Sequence, residues 1–345
     1  MKILLISVQS TVSRGGIAVW TDRFLSKCAD HNIECTLVNT EIVGKRATQS
    51  SAKRNITDEF VRTRRILKDL KQALKQDFDA AHLNTSCGNF GLFRDYLIAR
   101  QIKKKGIPLI THYHCDIPYW IHNKLNRKCL EKLASTSDKN LVLCENSKRY
   151  LQKQFGIDSV KVPNFIEETV ILDMPKAISQ TAQKVFFVGR VSEAKGATEM
   201  YELANRFPEL TFELVGNVSP SVAAWDKPEN VQLLGGFPHD QVMQRLDAAD
   251  IFLFPSHSEG FSVALLESMA RGVPAIATDV GAAADMLADG CGIVVEKQNV
   301  DAMAMALRAL DKTETREGIS RRAVNKCREQ YTIDAVIDLI KKQYK

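Results

Sequence analysis

The chain has no apolar run long enough to span a bilayer, no Cys-x-x-Cys pair, no convincing Asp-x-Asp metal site and no G-x-G-x-x-G loop. Each absence removes a class. About 20 consecutive apolar residues are needed for a membrane-spanning helix, so an integral membrane protein is not expected. Zinc ribbons and redox dithiols use closely spaced cysteines, whereas the eight here, at 28, 35, 87, 115, 129, 144, 291 and 327, are scattered. Reduced thiols in a cytoplasm account for them most simply. A nicotinamide-binding enzyme places three glycines after its first strand and an acidic residue after its second. Here the glycines read Arg14-Gly15-Gly16, and the second strand candidate runs from Val38 into Asn39-Thr40. Internal repeats and low-complexity tracts are missing too, which excludes repeat arrays and biased linkers.

What remains is an ordinary globular composition: 345 residues, 45% hydrophobic and 26% charged. That length suits two domains, each able to bury a core. The opening Met1-Lys-Ile-Leu-Leu-Ile-Ser-Val8 reads as a first buried strand, not a signal peptide. Net charge is uneven. Residues 1–165 hold 28 Lys and Arg against 15 Asp and Glu, or +13; residues 166–345 hold 19 against 26, or −7. A basic first half suggests an anionic partner: a membrane surface, a phosphorylated acceptor or nucleic acid. No compact nucleic-acid motif accompanies it. The densest stretch carries Arg62, Arg64, Arg65, Lys68, Lys71 and Lys75, with Phe60, Val61, Ile66, Leu67, Leu70 and Leu74 at near-helical spacing. It predicts an amphipathic basic helix, solvated on one face or lying against a membrane.

Short apolar runs alternate with helical patterns throughout. Strands are expected at 3–8, 34–38, 80–83, 108–112 and 140–143. After Pro163-Asn-Phe165 the series restarts at 184–188, 211–215, 231–233, 251–254, 275–278 and 292–295. Such alternation predicts parallel sheets covered by helices on both faces, in two Rossmann-like domains. The first is expected over 1–165, the second over 166–330, with 167–183 as the connection.

Two carboxylates carry the chemistry. Glu259 and Glu267 lie in His257-Ser-Glu-Gly-Phe-Ser-Val-Ala-Leu-Leu-Glu-Ser-Met-Ala-Arg-Gly272, between the strand ending at Phe254 and a helix expected to open near Phe261. A helix N-terminus offers unpaired N–H groups and a positive dipole end, which suit a phosphate. One carboxylate before that anion site and one behind it match a nucleotide-sugar: sugar, diphosphate, ribose, base. Glutamates near helix starts also serve as plain dipole complements. Val188-Gly189-Arg190 ends another strand and Lys195-Gly196 follows; two cations there can neutralise a diphosphate. Thr111-His-Tyr-His114-Cys-Asp116 follows a further strand end. A structural role, a metal role and an active-site role all remain open for it, although His112 and His114 lack an evident fourth ligand.

This order of motifs, over almost the whole chain, resembles the retaining glycosyltransferases of family 4. The resemblance implies an α/β, GT-B fold, with two doubly wound domains facing across a cleft and the final helix, within 331–345, crossing back onto the first. It implies that Glu259 contacts sugar hydroxyls and Glu267 the ribose. Gly260 lies between Glu259 and the N–H groups of Phe261, Ser262 and Val263, which would face the diphosphate. Gly189, Arg190 and Lys195 would hold the diphosphate and stabilise the leaving group, and His114 would lie near donor sugar and acceptor. Gly15 and Gly16 would face donor phosphate or acceptor, and Asn217 and Phe237 lie where the nucleotide is read. Asn146-Ser147, Pro163-Asn164 and Thr278-Asp279-Val-Gly281 also fit, whereas Ala282 and Ala283 depart from the larger residues usual there.

The implied activity is sugar transfer from a nucleoside-diphosphate sugar to a hydroxyl acceptor without metal or cofactor. Glu259, His114, Arg190 and Lys195 would be its catalytic groups. The expected acceptor is a glycan or lipid-linked acceptor in bacterial surface-polysaccharide assembly on a lipid carrier, and the expected location cytoplasmic, with peripheral contact to an anionic membrane through the basic half. No nucleic-acid partner is expected. A nucleotide-sugar epimerase of the same fold and a non-catalytic nucleotide-sugar or polyanion binder stand as alternatives.

Overall fold

The computed structural model describes residues 1–9, 15–42 and 56–344, so Arg14 lies outside the described residues. The chain forms two units, Met1–Phe165 with Ile333–Lys345, and Ile166–Thr332. The first holds β1 (Lys2–Ser7), β2 (Glu34–Asn39), β3 (Ala80–Thr85), β4 (Leu109–Tyr113), β5 (Lys139–Val142) and β6 (Val160–Lys161). The second holds β7 (Lys184–Val188), β8 (Thr211–Val215), β9 (Val231–Gly235), β10 (Ile251–Phe254), β11 (Ala275–Thr278) and β12 (Ile293–Val295). Both are six-stranded sheets, ordered β2-β1-β3-β4-β5-β6 and β12-β11-β10-β7-β8-β9, and every strand pair is parallel. The α/β expectation of two doubly wound sheets therefore holds. β6 was not expected; its two residues give no readable apolar run.

The strands are apolar on both sides because helices cover both sheet faces. β1 shows this residue by residue. Leu4 and Ile6 join one core with the helices Ile56–Ala73 and Asn89–Lys104, whereas Ile3 and Leu5 join a core on the opposite face, as period-two alternation requires. That second core takes in Ile333, Val336, Ile337, Ile340 and Tyr344 from the end of the chain. Burial of each such aliphatic side chain contributes about 1.5–3 kcal/mol, which is what fixes the helix Ile333–Lys341 on the first unit. His31 adds polar contacts to Asp334 (2.9 Å) and Asp338 (3.1 Å).

One sequence expectation is corrected. The basic helix forms as Ile56–Ala73, but its inward line is Glu59, Arg62, Ile66 and Leu70, set by the three- and four-residue spacing. Phe60 and Val61 fall outside that line and are 69% and 56% exposed. Arg62 points inward, where its Nε donates to the carbonyl of Thr40 at 3.0 Å and its Nη1 lies 3.5 Å from Glu59. Past β4 the chain forms a short helix, Ile117–Trp120. Pro118 in its first turn favours that start, and Ile117 is buried while Tyr119 and Trp120 remain exposed.

Candidate active site

In open parallel sheets, ligands bind outside the carboxyl ends of strands where the strand order reverses. In the second unit that point lies between β7 and β10, the neighbours from which β8-β9 and β11-β12 extend in opposite directions. Gly189 and Arg190 follow β7, and the loop carrying Glu259 follows β10. Arg190 is exposed, and among the described residues no carboxylate pairs with it. Lys195 closes a short 3-10 turn, Glu193–Lys195, and its Nζ donates to Glu259 Oε1. Ser256 Oγ donates to the same oxygen at 3.3 Å. The sugar-side carboxylate and the phosphate-side cation are thus an ion pair.

Glycines hold this loop close. A Cβ at Gly196, whose φ is +81°, would lie 2.4 Å from the carbonyl oxygen of Pro255. One at Gly281, with φ +54°, would lie 2.4 Å from the carbonyl oxygens of both Glu259 and Gly260. The helix opens at Val263, two residues later than expected, because Ser262 is its cap: Ser262 Oγ accepts the N–H of Leu265 at 3.1 Å. The N–H groups of Phe261, Ser262 and Val263 have no acceptor among the described residues. The Phe261 ring packs edge-on to Tyr331, which leaves its backbone as the polar group there.

Glu267 is buried inside the helix Val263–Ala270, and its Oε1 meets Nε2 of the exposed His239 at 2.8 Å. Asn217 is exposed after β8, beside Gly236. Phe237 is half-buried under the guanidinium of Arg245, 4.5 Å from its ring. The sequence reading missed two residues that anchor the loop. His257 Nε2 bonds the buried Glu199 at 2.7 Å, and its N–H donates to the carbonyl of Ala194. The available signal was a histidine two residues before Glu259; its partner, 58 positions upstream, left none.

In the first unit the reversal lies between β1 and β3. Gly15 caps the helix Gly16–Lys27. Neither Gly15 nor Gly16 has a positive φ, and a Cβ at either meets no described atom within 4 Å, so internal packing does not demand glycine. His114 stands just past β4, partly exposed, with its ring 4.1 Å from His112 and 5.1 Å from Trp20. Burial, and then neighbouring His82, push its pKa down to about 3. Burial alone also lowers His82 to about 3, and burial with the two neighbouring histidines puts His112 well below its usual value. His82 and His112 are fully buried. Among the described residues no three His, Cys, Asp or Glu are arranged to hold a metal ion.

Two family models match the chain: Glycosyltransferase Family 4 over residues 14–169 and Glycosyl transferases group 1 over residues 172–326. A phosphatidyl-myo-inositol mannosyltransferase of Mycolicibacterium smegmatis is 28% identical over 53% of this chain and 51% of its own length. A putative teichuronic acid biosynthesis glycosyltransferase, TuaC of Bacillus subtilis, is 28% identical over 70% of this chain and 63% of its own. The chain thus spans from about half to just under two thirds of these curated relatives. Among solved structures, Anabaena HepE in complex with UDP and glucose superposes with a TM-score of 0.70 at 15% identity, over 99% of each chain.

Proposed function

The chain belongs to the family 4 glycosyltransferases and has their GT-B fold, and we propose that it moves a sugar, with retention, from a nucleoside-diphosphate sugar to a hydroxyl acceptor. The observation that carries this is the grouping at the β7–β10 reversal: Lys195 against Glu259, beside three N–H groups without acceptors among the described residues. In this reading Arg190, Lys195 and the Phe261, Ser262 and Val263 amides take the diphosphate and stabilise its growing charge. Glu259 accepts hydrogen bonds from sugar hydroxyls and Glu267 from the ribose, while Asn217 and Phe237 flank the base. Donor binding replaces the Lys195–Glu259 pair by two contacts to ligand, one to phosphate and one to sugar. The cations do the charge neutralisation, so no metal is required.

In the proposed front-face reaction, the bond from C1 to the diphosphate breaks as the acceptor oxygen bonds C1 on the same face. The leaving phosphate oxygen takes the acceptor proton. Gly15, Gly16 and His114 are assigned to ligand contact within the first unit; open space at both glycines supports a ligand, not packing, as their constraint. The teichuronic-acid relative supports an acceptor in bacterial surface-polysaccharide assembly, taken as a glycan or lipid-linked glycan. We assign an anionic membrane contact to the helix Ile56–Ala73, where Ile56, Phe60 and Val61 are 70%, 69% and 56% exposed and Arg64, Lys68, Lys71 and Lys75 share the exposed side. Apolar insertion flanked by cations suits such a surface.

The test is saturation-transfer NMR and nucleoside-diphosphate release over UDP-, GDP-, ADP- and dTDP-sugars with EDTA present. Turnover of one donor, with the product anomer matching it, is expected. Isomerised donor without an acceptor would instead identify an epimerase, no binding by any donor would sink the reading, and a trapped covalent glycosyl–enzyme adduct would overturn the front-face step.

A further inference from the structure

A chain of hydrogen bonds runs through the first unit from a backbone carbonyl to His114, and each proton in it has one place to sit. The carbonyl of Ile17 can only accept, and Thr21 Oγ1 donates to it at 2.8 Å. Thr21 has a single hydroxyl proton, so Ser7 donates in the 2.6 Å contact between Ser7 Oγ and Thr21 Oγ1. Ser7 oxygen is then an acceptor, filled by Asn84 Nδ2 at 2.9 Å. With its NH2 so committed, Asn84 turns Oδ1 toward His114 Nε2 at 3.0 Å. An amide oxygen only accepts, so Nε2 carries the proton. Reversing the Asn84 amide is not neutral. Its oxygen would then need the Ser7 proton already given to Thr21, and one bond of the chain would be lost, at a cost of about 1–3 kcal/mol for an unsatisfied buried group. Ser7 and Thr21 are fully buried and Asn84 is 5% exposed, so water does not compete.

We propose that Asn84, fixed by Ser7 and Thr21, is a positioning residue that keeps the His114 proton on Nε2 and its lone pair on Nδ1, so that His114 meets a substrate hydroxyl as a hydrogen-bond acceptor. The proton assignment stands on the hydrogen bonds alone; the substrate contact rests on the function proposed above. His114 is the member of the His82, His112 and His114 group that reaches the surface. The groups facing its ring, His82, His112, Trp20 and the amides of Asn84 and Asn164, are uncharged around neutrality, and His114 itself takes no second proton there. The chain therefore selects between the two neutral tautomers. A ring with Nδ1–H would meet the same hydroxyl as a donor, so the hydroxyl would accept from the ring instead of donating to it.

The test is a long-range proton–nitrogen NMR spectrum of the full chain labelled with 15N-histidine at pH 7, with the His114 signals identified by their loss in His114→Gln. A protonated Nε2 beside a bare Nδ1 is expected. Asn84→Ala should mix the tautomers and lower donor turnover by roughly ten- to a hundredfold, with little change in donor affinity. Ser7→Ala, which removes the Ser7 contacts to Asn84 and Thr21 but keeps Asn84 itself, should mix them less and serves should Asn84→Ala fail to fold; Thr21→Ser should keep wild-type behaviour. A proton on Nδ1, or an unmixed tautomer in both Asn84→Ala and Ser7→Ala, overturns the positioning role. Wild-type turnover by His114→Gln with the proton on Nε2 overturns the substrate contact instead.

Discussion

Gly281 is the position at which a single added methyl group should separate a backbone cost from a displacement of the candidate site. Its φ of +54° is a left-handed conformation, and a Cβ there would lie 2.4 Å from two carbonyl oxygens, those of Glu259 and Gly260. Real Cβ atoms stay beyond 3.0 Å, so in Gly281→Ala the loop must retreat by roughly 0.6 Å, on a scale where 1 Å of misplacement costs about a hundredfold in rate. The Ala282 N–H, which donates to Gly260 at 3.0 Å, resists that retreat. Gly106 is the matched control: φ is +72° and nothing lies within 4 Å of an added Cβ. Gly106→Ala should therefore cost only the left-handed penalty, about 1–2 kcal/mol. Gly281→Ala should cost about 2–4 kcal/mol and lower donor turnover by on the order of ten- to a hundredfold. Because two units need not unfold together, local stability is best read from amide exchange, in β10 and β11 for Gly281→Ala and in β4 for Gly106→Ala. Equal turnover by both variants would refute the claim that Gly281 sets the position of Glu259.

Glu259→Gln should depress turnover by about a hundredfold or more with a smaller loss of nucleotide affinity, and Lys195→Ala should depress both; titration and steady-state release on the same preparations separate the two, and wild-type values in each reject the site. Phe60→Ser with Val61→Ser should abolish co-sedimentation with vesicles containing anionic lipid while sparing turnover of a soluble acceptor; unchanged sedimentation removes the helix as the contact. Buried His112 takes up its proton only on unfolding, because its folded pKa lies below 6.5. Stability should thus fall as pH drops below 6.5, by about 1.4 kcal/mol per unit for this residue. His112→Leu should flatten that slope in urea titrations at pH 7 and 5.5, and an unaltered slope counts against the neutral ring.

The second sheet was easier to read than the first. Its strands at 184–188, 211–215, 251–254 and 275–278 have the bounds expected from sequence, because strands buried on both faces are runs of apolar residues ending at glycine, proline or aspartate. In the first unit, β3 continues through Asn84 and Thr85, two residues past the expected end. Their polarity hid the strand, and it is the same polarity that joins Asn84 to Ser7 and His114. The basic helix was misread for a related reason. Charge says solvent and aromatic says core, yet the inward line places Arg62 within reach of the Thr40 carbonyl and leaves Phe60 outside.

The candidate site was legible one residue at a time and not as pairs. Glu259, Arg190 and Lys195 could be picked out because each follows a strand end, a position that local patterning marks, and Glu267 because it lies within the helix that opens just after Glu259. Their partners are marked by nothing local: Lys195 reaches Glu259 across 64 positions, His239 reaches Glu267 across 28, and Glu199 reaches His257 across 58. In each case a carboxylate is matched to a cation or imidazole on another element, and two of the three pairs, Lys195–Glu259 and Glu199–His257, join segments that follow β7 and β10. The pairing also bears on binding. A site of unpaired like charges would be strained before ligand arrived, whereas here a diphosphate and a sugar exchange existing contacts for new ones. Affinity then depends on the difference between two sets of ion pairs, not on the sum of one. Each single substitution also removes the pair that the donor has to break, so Lys195→Ala combined with Glu259→Gln should weaken binding by more than the sum of the two single effects. A double-mutant cycle on donor affinity measures that excess, and strict additivity would show that the pair is not what the donor displaces.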